Sequence, residues 1–551
     1  MNAEFGLGNA SIIDSIKVKW PTGYEQYLVN QAVNQFISIQ RYILGCTDPY
    51  AENYNSDANL NDGSCTYPDN GDYSLSFDAN YGGYVIIPNS PELNPNSFTV
   101  SLWTKLNSYQ NYNHFFNKMH YSIHQYILSS NESGLYVYIN ELSTTDVLPE
   151  LNEWSNIVFS FNSDNNQGKI YLNQDLIHEF ISASDIIANE YDLHIGGHSY
   201  IGLDSETNEN INTVNGLIDK LKFWNVVLDS NDIAENYTSN LNLHENNLIA
   251  EYKFNAGSGN TLYDHSGNGN HGTINGATWV ENIYGCIDEL AENYNPEANW
   301  DDGSCTYPDN GDYSLSFDGV DDWIDINNSY SLNNLDALTI EFLIYANEVD
   351  SEVDRTILCK ADSPNQIYLF RRLPENKIGN WNTLYESELV SINNWANYTY
   401  VNDGITESIY KDGYLSNEIE SMANFVNEEN IIIGRNFQNG EYWDGNIDEI
   451  RIYNNSLTDE QILTNLNSYT VENIVAHYKF NTGEGNILYD HSGNGNHGTI
   501  HGATWAGCTD PLADNYLEGA ETDDGSCTGS PVNAEDFTYA GELDGHHYYL
   551  S

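Results

Sequence analysis

Residues Tyr263–Trp279 read YDHSGNGNHGTINGATW, and residues Tyr489–Trp505 read YDHSGNGNHGTIHGATW, one letter apart. Working outward, Cys65–Asp78 (CTYPDNGDYSLSFD) recurs unchanged at Cys305–Asp318. Self-similarity on this scale marks a modular chain, so the repeats set the frame for every other reading. Residues 72–281 and 312–506 align as two copies. Each opens with YSLSFD. A strand follows at Phe98–Thr104 or Leu338–Tyr345, then a Trp-bearing strand around Trp154 or Trp395. GKIYLNQ from Gly168 matches SIYKDGY from Ser408, and LHIGG from Leu193 matches IIIGR from Ile431. GLIDKLKFWN from Gly216 and GNIDEIRIYN from Gly445 close the series, each before a short helix. In the second helix Thr458 and Gln461 have capping-box spacing. Short apolar stretches bounded by turn residues every 8–15 positions predict an all-β chain of two sandwiches.

The formal charge is −63, from 18 basic and 81 acidic residues. Such a field repels phosphate, which excludes nucleic acid and an anionic membrane surface as partners. It suits a soluble extracellular chain and tolerates cation binding. Aromatic residues make up 13% of the chain, enough to build cores despite the acidity. No apolar stretch is long enough to span a bilayer.

Six of the seven cysteines form three equally spaced pairs, Cys46/Cys65, Cys286/Cys305 and Cys508/Cys527. Local disulfides and an oxidising compartment follow, each loop contributing about 3 kcal/mol through unfolded-state entropy. Cys359, in TILCK, reads as a buried strand cysteine. The start MNAEFGLGNA has neither the basic region nor the apolar core of a signal peptide. A disulfide-bearing chain without an export signal reads as a fragment of a longer secreted or cell-surface protein.

The DHSGNGNHG word is the leading site candidate. Asp264, Ser266, Asn268 and Asn270 alternate with Gly and His, as do Asp490, Ser492, Asn494 and Asn496. Alternating oxygen-bearing side chains in a glycine-rich loop suit Ca²⁺. The spacing resembles the start of an EF-hand loop but lacks its bidentate Glu. The same letters also describe an Asx-rich turn that caps itself. A dinucleotide reading of the embedded GxGxxG fails for want of a βαβ unit. The Cys units read as stapled linkers, with a small calcium loop as the alternative, and zinc is excluded by the missing His set.

Catalytic signals are poor. Glu348-Val349-Asp350-Ser351-Glu352 comes near the carboxylate set of a glucanase strand, but Ser351 breaks the apolar position. GHSYIG at Gly197 lacks nucleophile-elbow spacing. Sugar stacking needs an exposed ring; Tyr81, Tyr84, Trp323, Trp381 and Trp443 lie in or beside loops. Trp103, Trp154 and Trp395 lie in strands and read as core. Adjacent His546 and His547 point to opposite strand faces and do not make a metal pair.

The strand order and the words FDGVDDWIDI, GNIDEIRIYN and DHSGNGNHGT resemble the LamG-like jelly roll of the concanavalin A-like lectin/glucanase superfamily. FDANYGGYVII in the first copy lacks the acidic pair Asp321 and Asp322 of the second. FGLG, IDSIKVKWPTG and NQFISI resemble the end of the ASPIC and UnbV module, which commonly follows propeller repeats in secreted proteins. The Cys units resemble the CTDPxAxNYNPxAxxDDGSC repeat of secreted bacterial proteins, and FTYAGELDGHHYYLS resembles the opening of C-type lectin-like domains. The resulting layout is a truncated ASPIC/UnbV-like end at 1–42, Cys repeats at 45–66, 285–306 and 507–528, LamG-like domains at 67–281 and 307–506, and a linker with a truncated lectin-like start at 529–551. The resemblances imply non-catalytic, calcium-assisted adhesion or carbohydrate binding, with glycans or extracellular proteins as partners. A passive stalk and a polysaccharide-degrading enzyme are the alternatives.

Overall fold

In a computed structural model the chain forms two compact units, Met1–Asn282 and Ile283–Ser551. The structure describes residues 9–198, 213–238, 244–380, 389–420 and 429–528, apart from isolated positions and gaps of at most five residues, and the backbone of a hairpin within 538–550. Strands dominate, as the turn spacing predicts.

The first unit begins with a hairpin, Ile12–Lys19 against Glu25–Ala32. Ile16, Val18 and Trp20 are half-buried while Ser15, Lys17 and Lys19 are exposed, which is the period of two read from the sequence. Its sandwich then packs two eight-stranded antiparallel sheets. In one sheet Phe98–Leu106 is central, between Trp154–Asn162 and Gly216–Trp224. In the other, Leu193–Ile195 joins Asn113–His120 to Tyr84–Ile87. Leu75, Phe77, Val100, Leu102 and Phe159 from the first sheet are buried, as are Val85, Ile87, Phe116, Leu128 and Ile195 from the second. Polar residues such as Ser74, Thr99, Ser101 and His194 stand between them on the strands and are themselves buried, and burial of the apolar face of each sheet drives closure.

The second unit repeats the plan with a nine-stranded and a seven-stranded sheet. Leu315, Phe317, Ile340, Phe342 and Ile344 face Ile324, Leu358, Leu369 and Ile433 in one cluster. The helix Asp459–Asn465 carries the capping box: Thr458 accepts from the Gln461 N–H, and the Gln461 side chain accepts from the Thr458 N–H. Last strands lie beside first strands in both sandwiches. Thr278–Glu281 pairs with Tyr73–Phe77, and Thr504–Gly507 pairs with Ser314–Asp318. The DHSGNGNHG turn is thereby fixed at a sheet edge, next to where the chain enters each sandwich.

Cys46–Cys65, Cys286–Cys305 and Cys508–Cys527 are all disulfides, each closing a separation of 19 residues. Cys46, Cys286 and Cys508 are buried, whereas Cys65, Cys305 and Cys527 are half-buried. Within each Cys repeat one asparagine closes the loop. Asn53, Asn293 and Asn515 each donate to a Ser carbonyl and accept from a Thr N–H beside the second cysteine. The Cys508–Cys527 unit differs from the other two in what its short strand joins. In the first two repeats a short parallel pair stands as its own two-stranded sheet, Leu44–Gly45 with Leu60–Asn61 and Tyr284–Gly285 with Trp300–Asp301. In the third, Thr522–Asp523, four residues before Cys527, pairs with the last strand of the second sandwich and extends its sheet. The reason is chain length: Trp505 is followed directly by Ala-Gly-Cys508, whereas VENIYG separates Trp279 from Cys286. Cys527 is thereby tied to the edge of a sandwich rather than to a free linker. Cys359 is buried, and burial pushes its thiol up to about 12, so it packs as an apolar group.

Candidate functional site

In the DHSGNGNHG turn, Asp264 is fully buried. One carboxylate oxygen accepts from the N–H groups of Glu251 (3.0 Å) and Ser266 (2.9 Å). The other accepts from the Asn270 N–H (2.9 Å) and the Ser266 hydroxyl (2.9 Å). Asn268 and Asn270 turn their amides toward the backbone carbonyl of Ile249. Asp490, Ser492, Asn494 and Asn496 reproduce the pattern in the second sandwich. Gly267 and Gly269 take φ of 87° and 74°, the left-handed region the turn requires. The donors surround the aspartate, and this is the geometry of a hydrogen-bonded turn rather than an oxygen cage.

The last His of the word has a partner 223 positions away. His271 Nδ1 accepts from the Asp264 N–H (2.9 Å), which leaves Nε2 protonated to donate to Asp48 of the first Cys repeat (2.6 Å). The Tyr67 hydroxyl donates to the same Asp48 oxygen (2.6 Å), and the Tyr50 N–H to the other (2.9 Å). Burial alone would raise the Asp48 pKa. These donors more than offset it, and the carboxylate lies below its usual range. The second unit repeats each contact: His497 to Asp288 (2.7 Å), Tyr307 to Asp288 (2.6 Å) and the Leu290 N–H to Asp288 (2.9 Å). Rings of Tyr263 or Tyr489 pack on Tyr67 or Tyr307. The two most repetitive words of the sequence therefore meet: the first and second Cys repeats each plug into the turn of the sandwich after them. Spacing alone could not reveal a contact between words more than 200 residues apart.

The aromatic candidates divide sharply. Trp443, read as a loop ring, is fully buried in the core. Trp103, Trp154 and Trp395, read as core, are only half-buried, and Trp224 is the buried indole of the first sandwich. Trp323 is packed against the His501 ring at 4.0 Å and the Arg435 guanidinium at 3.9 Å. Tyr84 is half-buried and packs toward His194. Tyr81, Trp381, Val349, Asp350, Ser351, most of the GHSYIG word and the side chains of His546 and His547 lie outside the described residues.

Beside the Arg435–Trp323–His501 column stands a feature of the second sandwich that the sequence held only as a two-residue difference. Oxygens of Asp318, Asp321 and Asp322 lie within 4.8 Å of one another. The Asp318 N–H donates to Asp322 (2.8 Å), and the Val320 N–H to Asp318 (2.8 Å). Arg355 fastens the loop through the carbonyls of Gly319 (2.9 Å) and Tyr442 (2.8 Å). Gly502 leaves room for Asp322: a Cβ there would lie 2.1 Å from its carboxylate. Burial, reinforced by Asp318 and Asp321, raises the Asp322 pKa. In the first sandwich Gly82 and Gly83 precede Tyr84, where Asp321 and Asp322 precede Trp323, so the copies differ at this rim.

A polar cleft of about 520 Å³ opens between the free sheet edges of the first sandwich. Ser133, Thr144, Asp146 and His178 line it, with Ile177 and Leu135 as its apolar floor. Among the described residues that line it, Asp146 is the single carboxylate. The two glutamates of the second sandwich that share a partner, Glu341 and Glu449, both grip Arg451. Glu341 is held by Asn465 of the helix and is buried, so this pair serves packing.

Two antiparallel jelly-roll sandwiches with polar rims define a lectin-like module. The chain belongs to the concanavalin A-like lectin/glucanases superfamily: its laminin G-type model matches residues 78–234 and 318–463, more than half of the sequence. The ASPIC and UnbV model matches residues 1–42. No curated protein sequence matches the chain. Among solved structures, the LG4-5 domains of the mouse laminin alpha1 chain align at 10% identity over 69% of this chain and 88% of that one, with a TM-score of 0.24. The sialidase module CBM40 of Ruminococcus gnavus, bound to alpha2,3 sialyllactose, aligns at 13% over 30% of this chain and 96% of that one, with a TM-score of 0.25. A Bacteroides ovatus protein described as a candidate carbohydrate binder aligns at 17% over 39% of this chain, with a TM-score of 0.33; the match spans 61% of that protein. Among the described residues no helix is long and apolar enough to cross a membrane.

Proposed function

We propose that the chain is a non-catalytic adhesion or carbohydrate-binding segment of a secreted or cell-surface protein. In this reading the second sandwich binds through a calcium ion at its rim. The observation that carries it is the Asp318, Asp321 and Asp322 cluster, whose oxygens converge within 4.8 Å on an exposed loop. Carboxylate oxygens of this number and hardness suit Ca²⁺, which keeps open positions for ligand hydroxyls. Calcium is assigned here and not to Asp264 or Asp490, because those carboxylates are already filled by N–H and O–H donors. The disulfides and the family support an extracellular setting. The hydroxyl- and amide-lined cleft of the first sandwich offers a second surface for sugars, and two weak sites on one chain gain avidity when both engage.

The test is a glycan array on the whole chain with calcium, with EDTA, and with Asp321→Asn. Calcium-dependent binding lost in Asp321→Asn supports the reading. Arrays that stay blank in calcium favour a passive spacer.

A further inference from the structure

Each sandwich buries one lysine against a side-chain amide. Lys118, in the strand Asn113–His120, is fully buried. Its Nζ lies 2.7 Å from Oδ1 of Asn89, two residues past the strand Tyr84–Ile87. The carbonyls of Tyr191 (2.7 Å) and Asn189 (3.1 Å) and the Asn189 Oδ1 (3.3 Å) take its other contacts. Two of these oxygens suffice to hold a neutral amine, which keeps two N–H donors. Its lone pair is then left for the Asn89 carboxamide. The Asn94 amide donates to the same Asn89 Oδ1 at 3.2 Å, and the Asp192 carboxylate accepts the Asn89 N–H at 2.8 Å. Burial brings the Lys118 ammonium down to about 8, with Asp192 pulling the other way. At pH 7 about a tenth of such lysines are neutral, far more than for an exposed one.

The second sandwich has the lysine and the amide without the carboxylate. Lys360 follows Cys359 as Lys118 follows Asn117, and Cys359 and Asn117 pair with equivalent strands, Ile431–Ile433 and Leu193–Ile195. Lys360 Nζ lies 2.8 Å from the Asn328 Oδ1. The Asn328 N–H goes to the Asn430 Oδ1 at 3.0 Å, so an amide stands where the first copy has Asp192. Glu429 meets Lys360 through its backbone carbonyl. A carboxamide cannot take up the proton that a carboxylate can.

We infer that Lys118 and Asn89 join in an intramolecular isopeptide bond, with Asp192 as the base, and that Lys360 and Asn328 stay separate. The ammonium first gives one proton to water. The bond from Lys118 Nζ to Asn89 Cγ then forms, the Asn89 Cγ–Nδ2 bond breaks, and ammonia leaves. Asp192 takes a proton from the attacking nitrogen and returns it to the departing one, so no oxidant or co-reactant is needed. The Asn94 amide steadies the carboxamide oxygen while it carries negative charge. The product staples Tyr84–Ile87 to Asn113–His120 across Leu193–Ile195, which lies between them in the sheet. The inference does not depend on what the sandwiches bind.

The intact mass of the denatured full chain tests it, with tandem mass spectrometry of its linked peptides. The parent is expected to be lighter by one ammonia than its sequence with three disulfides, and one linked peptide pair should join Lys118 to Asn89. Lys118→Arg, which keeps the cation, and Asp192→Asn, which copies the second sandwich, are both expected to show the full mass. A parent of full mass overturns the inference whatever the variants do. A deficit that survives Lys118→Arg also overturns it, since it marks a succinimide at an Asn-Gly pair such as Asn275-Gly276. A link from Lys118 to Asn189 overturns the choice of amide, and a second link between Lys360 and Asn328 overturns the role of Asp192.

Discussion

At the scale of single residues, the aspartates of this chain show how one side chain takes opposite roles from its surroundings. Asp264 is buried among four donors, and truncating it orphans all four. Asp264→Ala is expected to cost roughly 4 kcal/mol in denaturant unfolding, with calcium affinity unchanged; a variant of native stability that has lost calcium would return the ion to this turn. Asp48→Asn is the sharper probe of the plug, because the amide keeps the shape. Its amide oxygen can replace only one carboxylate oxygen, so its NH₂ must face either the Tyr50 N–H or the Tyr67 hydroxyl and the His271 Nε2–H, and the conflict costs about 2 kcal/mol. Asp288→Asn should behave alike in the second unit, read as an equal loss in urea midpoint. What the sequence made legible here was residue type and spacing. Oxygen-bearing side chains every second position suited both a cation loop and an Asx turn, and only the direction of the backbone N–H groups separates them. Direction is set by the backbone bridges of Tyr252 with Asp264 and of Tyr478 with Asp490, which the residue types of the turn do not encode.

Among elements, the strands and their order could be read from the chain because apolar alternation and turn residues act locally. The capping box at Thr458 could be read for the same reason, and Thr458→Ala is expected to lower stability by about 1 kcal/mol, seen as a shift in thermal midpoint. The burial of the indoles could not be read. Trp443 sits beside a glycine-rich loop in sequence, yet its backbone N–H bonds to the Gly434 carbonyl and draws it inward. Trp323 lies on a rim strand, but Arg435 and His501 come from two other segments to pack against it. The Cys repeats were legible as stapled loops and illegible as plugs. Equal cysteine spacing also hid the divergence of the third repeat, because it is set by the length of chain before Cys508 and not by the distance to Cys527. Docking of the first repeat makes a further outcome measurable. Opening Cys46–Cys65 by paired Ser substitution should cost about 3 kcal/mol and also release Asp48 from His271. Hydrogen exchange of the Tyr263–Trp279 turn would then rise together with that of the repeat; exchange confined to the repeat would show that the plug holds without its staple.

For the whole molecule, the charge of −63 and the placement of buried histidines give the two units different responses to acid. Burial lowers His114 and His194 to about 3 and His265 to about 4 in the first unit. In the second unit His491 is lowered to about 4. A ring that is neutral when folded and titrates near 6.5 when unfolded binds more protons in the unfolded chain across that interval. Stability therefore falls as pH drops below about 6.5, at up to about 1.4 kcal/mol per pH unit for each ring. Buried carboxylates act with the opposite sign. Burial raises Asp312, Asp322, Glu341, Glu441 and Asp448 in the second unit. Such groups take up protons more readily folded than unfolded, so acid in this range relieves their cost. In the first unit only Asp175 and Asp219 are raised in this way among the described residues. Both terms point the same way, and the first unit is expected to lose stability before the second between about pH 6.5 and about pH 4.5. Hydrogen exchange with mass spectrometry on the intact chain, corrected for intrinsic rates, reads both cores in one sample. Protection of Phe98–Leu106 should collapse at a higher pH than that of Leu338–Ala346. If the two strands lose protection together, or in the reverse order, burial of the histidines does not govern the acid limit of this chain.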